Sequence, residues 1–190
     1  ETDEHHVPML NDASQQKAGS GLFYGWLIVP ITTLSMICTS PGQTFGIMMF
    51  RPFIQDDLGI SKAQFAGAYA IATFLAALPQ THIGALMDRY GARYTKLAVV
   101  LLLGAACLVI SQSATLIWLF IAFLMLRTFG STGLGMLSGA ASSLWFKKKL
   151  GMVMSIVHVG FALSIALYPG LCLILIEQYG WRSAYVILAV

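Results

Sequence analysis

Arg127 is the residue of this chain whose surroundings most demand a chemical explanation. It lies deep in the apolar run that begins near Leu116, and the eight acids (Glu1, Asp3, Glu4, Asp12, Asp56, Asp57, Asp88, Glu177) all fall outside such runs. If that run crosses a bilayer, an arginine within it costs at least about 2.5–3.5 kcal/mol and must face a polar interior. Two roles would justify it. It is either a cavity cation that binds an anionic substrate or a coupling acid, or an arginine bonded to carbonyls or to an acid elsewhere. Hydrogen-bonding side chains accompany it. Thr32, Ser35, Thr39 and Gln43 recur every three or four residues, and Tyr69, Thr73 and Gln80 lie four and seven apart, so each set shares a helical face. Such stripes either line a wet cavity or bond helix to helix. Ser155 and His158 share another face; His158 can titrate near neutral pH or simply bridge helices.

Enzymatic constellations do not emerge. No H-E-x-x-H or G-x-S-x-G is present, and His82 and His158 lack acids within the apolar runs. Cys38, Cys107 and Cys172 sit in apolar runs without metal spacing and read as small buried hydrophobes. The His5–His6 pair reads as solvated. No catalytic residue, metal or cofactor is expected, nor a nucleic-acid partner.

The elements that position these residues follow from composition. Of 190 residues, 57% are hydrophobic and 10% charged, against about 25% charged in soluble domains. Blocks of about 20 apolar residues suffice to cross a bilayer core. The fold class is therefore all-α, a polytopic membrane helix bundle. Residues 1–21, polar and aperiodic, read as a disordered cytoplasmic tail. Residues 22–190 form the bundle, with spans at about 22–50, 61–87, 97–110, 116–146 and 151–176 and the start of a sixth, truncated, at 183–190. RPFIQDDLGI reads as a loop, and Ser61–Gln64 (SKAQ) has the form of a capping box that starts the second span. The third span has no polar side chain beyond Cys107 and reads as peripheral. At about 1.5 Å per residue, Arg127 lies about 17 Å from Leu116 and about 30 Å from Lys147, which places it between the midplane and the outer third of the fourth span.

Basic residues set the orientation. With the N-terminus inside, inner connections hold Lys17, Arg89, Arg93, Lys96 and Lys147–Lys149, whereas outer ones hold Arg51, Lys62 and Arg182. That satisfies the positive-inside bias. Pro41–Gly42 and Pro169–Gly170 should bend their helices. Ser131, Gly135, Gly139 and Ser143, spaced by four, read as a close-packing ladder.

Several motifs carry a family resemblance. GALMDRYGAR resembles the G-x-L-x-D-R-x-G-R-[RK] signature between the second and third spans of the major facilitator superfamily. Gly84, Leu86, Asp88, Arg89 and Gly91 match, with Arg93 at the last basic position and Ala92 in place of the usual basic residue. LRTFGSTGLG resembles the fourth-span pattern through Arg127, Gly130 and Gly133. Trp145–Gly160 and Tyr179–Tyr185 resemble the entries to the fifth and sixth spans in the oxalate/formate-antiporter-like and monocarboxylate-transporter-like branches. The G-x8-G-P motif of drug exporters is not met. The resemblance covers Leu22–Val190 and implies the N-terminal half of a 6+6 fold, its partner being a C-terminal half outside this sequence. It implies a secondary active transporter, symporter or antiporter, in a plasma or cytoplasmic membrane, working by alternating access. The solute would be a small organic anion such as a monocarboxylate or dicarboxylate. Arg127, Gln43, Thr39, Tyr69, Thr73, Gln80 and His158 are then candidates for substrate binding or coupling, and Gly84, Asp88, Arg89, Gly91 and Arg93 for a conformational latch. The rivals are a membrane scaffold or assembly subunit without flux, and an exporter of other small molecules.

Overall fold

Proline and glycine decide where the helices of this chain stop. The computed structural model describes residues 25–145 and 150–189. The expected tail and Lys147–Lys149 lie outside that range. Helix α1 (Gly25–Ile37) ends just before Ser40–Gly42, a 3-10 turn with Pro41 in its first positions, and α2 (Thr44–Leu58) resumes beyond it. Pro41 has no N–H for the carbonyl of Ile37. The Ser40 hydroxyl takes its place, donating to Ile37 O at 2.6 Å. Its oxygen lies 2.8 Å from that of Ser164, so Ser164 donates to it in turn. The break expected at Pro41–Gly42 is present.

RPFIQDDLGI is helical through Leu58 rather than a loop, because Ile47, Phe50 and Ile54 continue one buried face past Pro52. The stop is Gly59, left-handed at φ 62°. Helix α3 (Lys62–Leu75) begins with the expected capping box: Ser61 accepts from the Gln64 N–H, and the Gln64 side chain accepts from Ser61 N–H. The second span is not straight. Pro79 withholds an N–H, the chain turns over Ala76–Pro79, and α4 (Gln80–Tyr90) is bent by 41° from α3.

The nine-residue hinge expected before the third span shrinks to Gly91. Its φ 82° and ψ 156° suit glycine alone, and α5 (Ala92–Ser111) starts at the next residue rather than near Leu97. One face of α5 is core (Val99, Leu103, Ala106, Ile110), packed against the helices that follow, while Leu97, Leu101 and Leu108 are exposed. It is thus only half peripheral. Thr115 caps α6 (Leu116–Leu126) by accepting from Trp118 N–H at 3.4 Å. Arg127–Leu134 is a π-helix, followed by α7 (Gly135–Trp145) and α8 (Leu150–Ala189). Within α8 the backbone stays helical through Pro169 and Gly170; the residue that leaves helical geometry is Gly180, at φ 77°.

Helices α5, α6 and α8 are long and apolar enough to cross a membrane (α6 together with its π continuation and the start of α7, Leu116–Ala140), and α3–α4 makes a fourth span if the bent pair counts as one. The core runs between them. Phe50 lies against Tyr185 with ring centroids 4.1 Å apart, and Phe65 meets Phe123 edge-on at 5.1 Å. Large apolar side chains also cover the outside, Phe74 at 77% exposure and Val159 at 70%. That pattern suits lipid as the surrounding solvent.

Candidate functional site: a broken crossing around Arg127

The 3-10 turn of the first segment and the π-helix of the fourth meet each other. A Cβ on Gly130 would sit 2.8 Å from Gly42 Cα, and one on Gly42 would collide with Leu126 O. Only glycine at both positions lets the two backbones touch. Each helix is irregular at that contact. Non-helical backbone at membrane depth is tolerated only where protein buries it or a cavity solvates it, and π segments often mark functional sites. The ladder expected from Ser131, Gly135, Gly139 and Ser143 does not form. A π turn closes i to i+5, so Ser131 and Gly135 do not stack, and nothing lies within 4 Å of a Cβ on Gly135 or Gly139. At this crossing the packing glycines are Gly42 and Gly130, while Gly133 faces Ile83 and Val99.

Arg127 stands where α6 passes into the π-helix. Half-buried, it donates from Nη1 to the Gly42 carbonyl at 3.2 Å, and its guanidinium lies 5.6 Å from the Tyr69 ring centroid. That is cation–π range. Tyr69 shares its hydroxyl with Thr44 at 2.8 Å and meets Phe123 edge-on at 5.8 Å. On the other side of Gly42, Gln43 donates from Nε2 to the Thr39 hydroxyl at 3.2 Å, and fully buried Thr39 donates to Met36 O at 2.6 Å. Thr73, one helical turn along α3 from Tyr69, has a buried hydroxyl without a hydrogen-bond partner.

Of the expected residues, Arg127 and Tyr69 meet, with Thr73 next to Tyr69 on its helix; Gln43 and Thr39 bond each other beside Gly42, whose carbonyl Arg127 holds. Two lie elsewhere. Gln80 donates weakly to Met136 Sδ at 3.9 Å, between α4 and α7. His158 is exposed on α8, its Nδ1 2.7 Å from Met154 O within the same helix. Ser155 likewise bonds its own helix at Gly151 O. Sequence reasoning missed Thr44 and Gly42. The Pro41–Gly42 break resets helical phase, so Thr44 joins the cluster although spacing by four from Thr39 and Gln43 skips it. Cys38, expected to be buried, is exposed beside the break.

The Asp88–Arg93 segment is solvent-facing. Asp88, Arg89 and Arg93 are exposed, and none forms an ion pair with a described residue. Arg89 lies 5.5 Å from the Tyr90 ring. Gly84 carries no Cβ against Met136, whose methyl would sit 3.2 Å from one.

A guanidinium can grip a carboxylate through paired donors. No three or more metal-ligating side chains gather among the described residues. Comparison with curated proteins gives no match. A family model described as Major Facilitator Superfamily matches residues 22–190. An all-helical, lipid-faced bundle with that match is part of one half of such a carrier, and members of the family are transporters rather than enzymes; the chain belongs to the major facilitator superfamily.

Proposed function

We propose that this chain supplies the N-terminal half of a secondary active transporter that moves a small organic anion, a monocarboxylate or dicarboxylate, by alternating access. The observation that carries the reading is Arg127: a cation at a crossing of two broken helices, bonded to Gly42 O and 5.6 Å from the ring of Tyr69, whose hydroxyl in turn bonds Thr44. A carboxylate docked there would meet the guanidinium and neighbouring hydroxyl and amide groups, with the opposite wall supplied by the C-terminal half. Thr73 has hydrogen-bonding capacity to spare. Gln80 and His158 serve elsewhere, as contacts on the α4–α7 and α8 surfaces. The N-terminus is cytoplasmic, by the placement of basic residues, in a plasma or cytoplasmic membrane.

Asp88 and Arg89, between Gly84 and the Gly91 reversal, and Arg93, just beyond it, act as a latch. Their exposure leaves them able to pair with the C-terminal half in one conformation and release in the other. Symport and antiport both fit this arrangement.

The test is uptake of labelled oxalate, formate and lactate into proteoliposomes containing the full-length protein. Arg127→Ala should abolish uptake while leaving expression and monodispersity intact. The 3.2 Å bond to Gly42 O favours one competing reading, in which Arg127 ties two helices together. That reading requires Arg127→Ala to lower thermal stability, with uptake per folded molecule preserved.

A further inference from the structure

At the end of the molecule where α2 turns into α3, a cavity of about 330 Å³ opens between the two helices, lined by Met48, Arg51, Pro52, Gln55 and Lys62. Its chemistry is one-sided. Arg51 is half-buried yet forms no ion pair with a described residue; its guanidinium only faces the Phe65 ring, 6.0 Å from the centroid. Lys62, exposed at the rim, likewise pairs with no described carboxylate. The Nε2 of Gln55 is buried without an acceptor. Two cations and an amide donor thus line one space.

The cavity also lies in line with the Arg127 cluster. Thr44, Met48, Arg51 and Gln55 recur along one face of α2, and Lys62, Phe65, Tyr69 and Thr73 along one face of α3. Arg51 faces Phe65, and Arg127 faces Tyr69 one helical turn further along. Thr44 and Tyr69 join the two faces at the inner end. Arg51 stands about 10 Å along α2 from Thr44.

We propose that this cavity is a second anion site, in which Arg51, Lys62 and Gln55 hold the carboxylate of a small organic anion before it passes to Arg127. The ligand class rests on the function proposed above; the site itself rests on the cavity and its donors. Concentrated positive charge at a cleft raises the local level of anions and their arrival rate by tenfold or more.

The experiment reads this without requiring transport. Met48→Cys is introduced into the full-length protein after its other reactive cysteines, exposed Cys38 among them, have been replaced. The new thiol is then modified with a sulfonate-bearing methanethiosulfonate and, separately, with the trimethylammonium analogue. The expected result is a rate ratio favouring the anionic reagent that falls about tenfold when Arg51→Gln and Lys62→Gln are added. Millimolar oxalate or lactate should slow the modification while both charges remain. Arg51→Lys, which keeps the charge, should retain most of the preference and shows that loss in the Gln variants is not misfolding. A ratio unchanged by removing both charges, or lost equally in Arg51→Lys, overturns the proposal. If Arg127→Ala leaves uptake normal while the ratio still collapses in the Gln variants, the cavity site stands and the central reading fails.

Discussion

Two turns of this molecule share one sequence pattern and end differently. Asp88-Arg89-Tyr90-Gly91-Ala92-Arg93 and Glu177-Gln178-Tyr179-Gly180-Trp181-Arg182 both read acid, any residue, Tyr-Gly, any residue, Arg. Their glycines adopt nearly the same backbone, φ 82° and ψ 156° against φ 77° and ψ 161°. The helix that follows each starts at once. The arginines diverge. Arg182 donates to Asp57 at 2.6 Å and to Ser111 O at 3.1 Å, tying α8 to the ends of α2 and α5, and its guanidinium stacks 4.5 Å from the buried Trp181 ring. Asp57 lies in the last turn of α2, where a helix dipole disfavours an acid, so Arg182 offsets a local penalty as well as closing the bundle. Arg93 has no such tie and stays exposed, as do Asp88 and Arg89. The same turn thus serves as a fixed clasp at one end, and at the other leaves its charges exposed.

The largest expected effect tests what anchors the clasp. Trp181→Ala should destabilise the purified protein by about 3 kcal/mol, the usual loss for a large buried ring, read as a drop in melting temperature; a change at the corresponding Ala92 should do far less. Next come the glycines. Neither has an atom within 4 Å of an added Cβ, so Gly91→Ala and Gly180→Ala should each cost only the backbone strain, about 1–3 kcal/mol. Unequal losses would show that the two turns are not equivalent after all. The smallest effects separate stability from transport. Arg182 and Asp57 are 41% and 44% exposed at their side chains, so a double-mutant cycle with Arg182→Gln and Asp57→Asn should couple by no more than about 1 kcal/mol. Arg93→Gln should leave melting unchanged and slow uptake. An Arg93→Gln variant that melts earlier and transports normally would reverse the contrast.

The helical bundle and its membrane character were legible because blocks of apolar residues have few alternatives. Signals with a local cause also read correctly: the Ser61–Gln64 cap and the Pro41–Gly42 break need only near neighbours. Boundaries set by one backbone angle did not. Nothing in DRYGARYTK distinguishes a nine-residue hinge from a reversal at Gly91, and α2 runs on to Gly59 because buried Phe50 and Ile54 outweigh Pro52 and the nearby charges. The π-helix was invisible to spacing by four, so the ladder through Gly135 failed and the contact moved to Gly130. In the site, Arg127 and Tyr69 stood out by type. Thr44 did not, since the break that brings it to Tyr69 also removes it from the stripe.

Equilibrium binding of labelled oxalate, formate and lactate to purified full-length protein, wild type beside Arg127→Gln, tests the central claim most directly. The account predicts that the wild type binds at least one of them and that Arg127→Gln weakens it by roughly thirtyfold or more, as expected when one partner of a buried charged contact is removed. Equal affinity in both proteins, or binding of neutral solutes with none of these anions, would contradict it.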